Sequence, residues 1–524
     1  MKYHVWTAVR AFAGLFIVSS CASVPLDGGF RGVQEQVETR SGAHIHWIQG
    51  KPEDREVVEQ IQSMLSKKLS ADEAVQVALL NNPSLQATFE DLGIAQADVV
   101  QAGLLKNPVF AARVRFPAQE GSNNTEFSVE QNFLDIILLP ARKKLASEKF
   151  KQAGFNVGSA VLNLALEVRS TYYTLQGDQQ LLAMQRTVVQ AAESASELAE
   201  HQHMAGNISI LDLSNQRAAF HEAKVRLMQS EAGIVAKRER LSSLMGLAEP
   251  DNIWKIKAVL PELPHQEPPS GALEDRAISQ RLDLAAARQQ TQILQRALSL
   301  ARFGVVSPVT LGVNTEREAD RPNLLGPTVE IGIPIFDRGQ AASARIQSQL
   351  RQSKKQLEAM ERQVRSEVRI HRSQLLAARA RVEYYRDNII PLHEQVVHLS
   401  QRHYNYMLKG VYALLQAKRN EIDVRSQYIE ALTDYWVAQS ELERAVGGRL
   451  STLTRDDGTP MKNDESEIPP EEHHMQHDEP EKPPEEHHMQ HDEPKKPPEE
   501  HHMQHDEPEK PPEEHHHHQG GKPR

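Results

Sequence analysis

A single cysteine, Cys21, occurs in the 524 residues, so no disulfide can form within the chain. Aromatic residues make up only 5% of it, and no run of about 20 apolar residues follows the N-terminal segment. That excludes a membrane-spanning helix in the mature chain; a part that crosses a bilayer would have to be a barrel. Excess positive charge is also missing. Of 60 basic and 71 acidic residues, 8 and 21 fall between Ser451 and Arg524. The body is left nearly neutral, with 52 and 50, which argues against a nucleic-acid partner. Neither a Walker-type phosphate loop nor H-E-x-x-H nor a Ser/His/Asp set in recognisable context occurs. The chain is read as no enzyme and as requiring no cofactor.

What is present begins with an export signal, residues 1–20. Lys2 and Arg10 flank the n-region, Ala11 to Val18 is an apolar core too short to span, and "VSSC" puts small residues before Cys21. Cys21 is the expected lipidation site, heading a lipidated periplasmic segment over 21–69. Ala22 after it, rather than Asp, resembles lipoproteins sent to the Gram-negative outer membrane.

The body repeats one plan at an offset of about 200, over 70–250 and 251–450. Each copy has a helical stretch that runs into a proline step (Pro108, Pro308), two alternating segments, a very long helical stretch, a glycine and a further helix. In "PVFAARVRFP", Phe110, Ala112, Val114 and Phe116 share one face while Arg113 and Arg115 share the other. Phe127, Val129 and Phe133 likewise oppose Glu126, Ser128, Glu130 and Asn132. The second copy alternates over Val309–Asn314 and from Thr328 to Ile335. Strands with one apolar and one charged face suit a membrane barrel with a wet lumen, where Arg113 and Arg115 would line the inside. Four strands cannot close one, so copies of the chain would have to share it.

Helices are expected from about Ala141 to Ala205 and from about Gln340 to Leu408, each roughly 95 to 100 Å long. Pro391 should kink or break the second. Val161, Leu164, Val168, Leu175, Leu182 and Val189 form a stripe with little core of their own chain to meet, so their seam should face neighbouring helices.

At "SADEAVQVALLNNPSL", "DLGIAQADVVQAGLLKNP", "GPTVEIGIPIFDRGQ" and the turns at Gly206 and Gly410, the chain resembles the TolC-type outer-membrane efflux factors. It is most similar to their heavy-metal branch, typified by CusC and CzcC, over roughly residues 70–450. The resemblance implies a mainly α fold with a small β part: a long antiparallel α-helical barrel beneath a twelve-stranded β-barrel shared by a homotrimer. It further implies an exit duct in outer-membrane lipid, joined by a periplasmic adaptor to an inner-membrane pump of RND type. Gly206 and Gly410 would then lie at the periplasmic tips, supplying the positive φ of a helix reversal. Ile210–Leu211 would match Leu414–Leu415, with Leu211 and Leu415 as adaptor contacts and Asp212 a first-turn carboxylate. Gln416 stands at the counterpart of Asp212 in that alignment. Histidines near the tips (His201, His203, His393, His398, His403) are spaced poorly for chelation.

Residues 451–524 form a separate tail. "PPEEHHMQHDEPEK" starts at Pro469 and recurs at Pro483, Pro497 and, in part, Pro511, which is too polar and proline-rich for a packed core. Its donors are His473, His474, Met475 and His477, then His487, His488, Met489 and His491, then His501, His502, Met503 and His505, and finally His515, His516, His517 and His518. Imidazole and thioether in that density suit Cu, Ag, Zn or Ni. The expected function is a duct for heavy-metal cations with a metal-binding periplasmic tail. Two alternatives stay open: a duct for drugs or secreted polypeptides with an idle tail, and a periplasmic metal-storage lipoprotein.

Overall fold

The structure, a computed structural model, describes residues 27–116, 123–248, 254–265, 272–303, 309–317 and 323–450. Cys21, Pro308 and every histidine of the tail lie outside the described residues. The chain divides into two units, 1–461 and 462–524, and only the first contains described residues.

Helix begins ahead of the first repeat. α1 (Phe30–Ser41) and α2 (Glu53–Leu65) lead through β1 (Lys68–Leu69) into α3 (Ala71–Asn81) and α4 (Pro83–Gly103). Ser70 opens α3 with a capping box: its hydroxyl donates to the Glu73 carboxylate at 2.7 Å and accepts the Glu73 N–H. Those hydrogen bonds from Ser70 hold Glu73 below the usual carboxylate range. Asn82 turns the corner into α4. Its Oδ1 accepts the Leu85 N–H at 2.9 Å, and its Nδ2 donates to the Leu244 carbonyl at 2.8 Å.

β2 (Val109–Arg115) and β3 (Asn124–Asn132) precede α5 (Phe133–Met204), which runs for 72 residues, and α6 (Ile210–Leu244) returns along it. α5 starts well before Ala141 and passes through Pro140. A proline at the eighth residue of a helix removes one helical hydrogen bond. Arg142 braces that turn by donating to the Asp135 carbonyl at 2.9 Å and to the Asp135 carboxylate at 3.1 Å.

The second repeat enters through β4 (Lys255–Ile256), which pairs in parallel with β1. α7 (Leu273–Gln280), α8 (Leu282–Phe303), β5 (Val309–Arg317) and β6 (Leu324–Ile331) follow. α9 (Gln340–Tyr384), a π-helical turn over Tyr385–Ile389, α10 (Ile390–Asn405) and α11 (Val411–Val446) complete it. Pro391 does not break the long helix. Without an N–H of its own, and with a ring that crowds the carbonyl four residues back, it is accommodated by widening the preceding turn to π geometry.

Each repeat owns a core, which corrects the expectation that one chain has little against which to bury its helices. Val161, Val168 and Leu175 of α5 are fully buried among Leu79, Phe89, Leu241 and Trp254. Val364, Val368 and Val382 of α9 pack with Leu432, Tyr435 and Leu442 of α11. Truncating Leu175 to Ala would remove about 2–5 kcal/mol. Farther along α5 the contacts thin to small residues, Ala192, Ala195 and Ala199, which let α5 and its neighbours approach closely.

Both repeats close on a glycine that the sequence reading passed over. Gly246 after α6 (φ +69°) and Gly447 after α11 (φ +84°) press against the ends of α3 and α7. A Cβ on Gly246 would lie 2.5 Å from the Asn81 carbonyl oxygen, and one on Gly447 would lie 3.0 Å from Arg281. The chain beyond Gly447 stays knitted in. Arg449 N–H donates to the Arg40 carbonyl at 2.9 Å, and Leu450 N–H donates to Glu443 at 3.2 Å.

Candidate functional site

The four longer strands make one antiparallel sheet in the order β2-β3-β5-β6. Period-2 alternation sorts its residues onto two faces. On one face Phe110 lies opposite Val129, Val129 opposite Val313, and Leu311 opposite Val329. Phe110 also stacks on Phe127 with ring centroids 6.1 Å apart. These apolar side chains are exposed in the single chain, with Phe110 65% and Ile331 61% accessible. The sheet therefore shows an uncovered apolar face. Its outer edges, on β2 and β6, have no strand partner among the described residues.

The other face is polar and internally paired. Arg113 stands opposite Glu126 in the register and donates to its Oε2 at 3.0 Å, while Arg115 reaches the same oxygen at 3.3 Å. Asn314 of β5 donates to Glu126 Oε1 at 2.8 Å, and Asn124 donates to Glu316 at 2.8 Å. The two arginines singled out from the sequence thus belong to one network that crosses three strands. The expected alternation through Ile335 runs past the sheet, because β6 ends at Ile331. Pro334 has no N–H for a ladder, and Ile335 N–H instead turns back to the Ile333 carbonyl at 2.9 Å.

At the far end the helices reverse in two tight turns. Gly206 has φ +76°, with its N–H on the His203 carbonyl at 2.9 Å and Asn207 N–H on the Gln202 carbonyl at 2.8 Å. Ser209 then caps α6 and forms a capping box with Asp212, hydroxyl to carboxylate at 2.6 Å. Asp212 is thus a cap partner rather than only a charge at the dipole.

The second turn departs from the expectation for Gly410. Its left-handed residue is Met407 (φ +57°), whereas Gly410 is extended (φ −74°) and caps α11 with no side chain. The turn bonds follow Met407: its N–H donates to the Tyr404 carbonyl at 2.9 Å and Leu408 N–H to the His403 carbonyl at 2.8 Å. By backbone role Gly206 matches Met407, Ser209 matches Gly410, and Asp212 matches Ala413. The alignment drawn from the sequence was three residues out, so Ala413, not Gln416, is the counterpart of Asp212. Leu211 is 66% exposed at the first tip, and its counterpart is Tyr412. Leu415 is half-buried a turn farther along α11. The exposed apolar groups at the tips are Met204, Ile210 and Leu211 on one, and Tyr406, Met407 and Leu408 on the other.

Tyr412 ties the two hairpins together by donating to Gln202 Oε1 at 2.7 Å. Burial, aided by the charge of Asp212, raises the pKa of its phenol. Farther along α11, hydrogen bonds from Lys418 (2.5 Å) and Arg425 (3.0 Å) outweigh the burial of Glu421 and hold its carboxyl below the ordinary range. His203 donates to the Ile208 carbonyl at 3.0 Å and so braces the first turn. Among the described residues, no three His, Cys, Asp or Glu side chains converge on a metal-sized site, and no helix is long and apolar enough to cross a membrane.

A two-faced hairpin sheet at one end and paired helical reversals at the other, repeated twice, find their match among known proteins. Residues 74–247 match the family described as outer membrane efflux protein. The match covers the first repeat. The chain's similarity extends beyond the matched segment. The cobalt-zinc-cadmium resistance protein CzcC of Cupriavidus metallidurans is 22% identical over 390 residues, 72% of this chain and 90% of its own length. The toluene efflux pump outer membrane protein TtgC of Pseudomonas putida is 22% identical over 74% of this chain and 83% of its own length. The solved structure of CusC superposes with a TM-score of 0.58 at 15% identity, over 72% of this chain and 92% of that one. The chain has the mainly helical TolC-type fold, with a small sheet.

Proposed function

We propose that this protein is the outer-membrane duct of a tripartite efflux system that exports heavy-metal cations, with a tail that binds them. The observation that carries the duct is the sheet: an exposed apolar face, a wet and paired opposite face, and two edges without a strand partner among the described residues. In lipid each unpaired backbone group costs several kcal/mol, so β6 of one copy would pair with β2 of the next. Three copies close twelve strands into a barrel, with Arg113 and Arg115 inward. The helices continue as a periplasmic conduit, Cys21 carries the lipid anchor, and the apolar tips around Leu211 and Met407 receive an adaptor that joins an RND-type pump.

Metal as cargo rests on the tail and on the likeness to CzcC. Each repeat offers three imidazoles and a thioether, mostly neutral and able to coordinate near pH 7. The likeness to TtgC favours a second reading, in which the cargo is organic and the tail is idle.

Growth of a deletion strain in graded Cu, Ag, Zn, Ni and Cd tests this reading. The strain is complemented with the full chain or with one ending at Leu450. Leu450 is the proper stop, because Arg449 and Leu450 are bound into the body while the repeats lie beyond. Sensitivity to a metal, rescued by the full chain, supports metal efflux, and weaker rescue by the shorter chain gives the tail its role. Sensitivity to solvents or dyes alone would favour the organic reading.

A further inference from the structure

The exposed surface next to the sheet changes character in the same order in both repeats. α5 opens with Phe133, Ile136 and Ile137, all exposed, the last of them 60%. Lys143 and Lys144 stand seven residues after Ile136 and Ile137, a spacing that returns them to the same helix face. In the second repeat Ile333, Ile335 and Phe336 are exposed ahead of α9, Phe336 by 91%, and Arg338 and Arg345 follow. An apolar band thus borders the sheet and ends in cations in each repeat.

All four cations are exposed, and none forms an ion pair among the described residues. The two acids nearby are already engaged. Asp135 takes Lys106 at 3.0 Å and Arg142 at 3.1 Å, and Asp337 accepts the Gly339 N–H at 2.8 Å. Residues 133–145 and 333–345 hold five basic side chains against those two acids, an excess that recurs in every copy. A Cα–Cβ bond on a helix tilts toward the N-terminus, and α5 and α9 both start on the sheet side. Lys143, Lys144 and Arg345 therefore lean toward the apolar band. Lys143 crosses Gly103 at the end of α4, where a Cβ would lie 3.3 Å from its Cδ.

We propose that these cations form a collar that binds the phosphates of anionic phospholipid in the leaflet on the helical side of the sheet. The inference rests on the sheet being embedded in lipid, as in the function proposed above. Lys144 lies about 10 Å along the helix from Ile137, and the headgroup layer beyond the hydrocarbon is about 5–8 Å deep. A lysine stem laid along the band covers the remainder and keeps its ammonium at the phosphates. The apolar band beside the collar selects lipid over free phosphate, because it offers the acyl chains a surface.

The full chain in mild detergent can be titrated with phosphatidylglycerol and with phosphatidylcholine of the same acyl chains, with retained lipid counted by native mass spectrometry. Tighter retention of phosphatidylglycerol on the three-chain assembly is expected. Lys143→Gln with Lys144→Gln should weaken it about fivefold per lysine and leave phosphatidylcholine unchanged, whereas Lys143→Arg with Lys144→Arg keeps the preference. Removing the same charge far from the sheet, by Lys224→Gln with Lys409→Gln, should change neither lipid. Equal retention of the two lipids by a three-chain assembly, or a preference that survives in the Lys143→Gln, Lys144→Gln variant, overturns the collar alone. A single chain that retains neither lipid overturns the duct and the collar with it.

Discussion

The two hairpins descend from one plan and differ in how well their residues suit it. The first descends as an unbroken helix to Gly206, where a glycine occupies the left-handed position, and restarts on a capping box. The second is interrupted by a π turn ahead of Pro391, puts Met407 into the left-handed position, and restarts on Gly410 with no side-chain cap. Ala192, Ala195 and Ala199 are buried on the lower part of α5, whereas α10 has no buried residue in the single chain. Local fit and burial thus both favour the first hairpin, and the second is the one whose tip should open at lower free energy.

That asymmetry can be broken from either side. The largest effect is expected where the repeats agree: Gly246→Val forces a β-branched side chain into a left-handed position and onto the Asn81 carbonyl, and should prevent folding. Gly447→Ala brings a smaller side chain to 3.0 Å from Arg281 Cγ and 3.1 Å from its backbone, a looser approach than at Gly246, so it should be milder, and thermal melts of the two variants make the comparison. Gln190→Pro would give the first hairpin the counterpart of Pro391. It should lower stability by about 3 kcal/mol and equalise hydrogen exchange between the two lower halves.

Met407→Gly should stabilise the second turn by roughly 1–2 kcal/mol, slowing protease cleavage between Tyr404 and Gly410. Gly410→Ser with Ala413→Asp would rebuild the missing capping box, for a gain of a few tenths of a kcal/mol. The smallest effect is on acidification. Glu421 is held below its ordinary pKa of 4.5, so its contribution to the second hairpin is complete above pH 4.5 and lost as pH falls through the lowered value. Melts at pH 6 and below pH 4.5 should differ less in Glu421→Gln than in the unaltered chain.

Much of the fold was legible because period-2 and long-helix patterns are strong local signals. Phe110, Phe127, Val129 and Arg113 lie on the faces that the alternation assigns them, and both hairpins pair. The tips were legible only as reversals. Glycine marks a left-handed position by statistics, and nothing in "YMLKG" announces that Met407 takes it. The ends of the repeat were not legible at all. Arg40 and Arg449, or Asn82 and Leu244, meet across more than a hundred residues, and only the folded backbone brings them together. Gly246 and Gly447, 201 residues apart, were the available clue.

In the proposed duct the sheet is one third of a closed barrel. Native mass spectrometry of the full chain, extracted from membranes in mild detergent, tests it most directly. An assembly of three chains is expected. A single chain, with its strand content intact by circular dichroism, would contradict it, because the apolar face and both sheet edges would then have no partner.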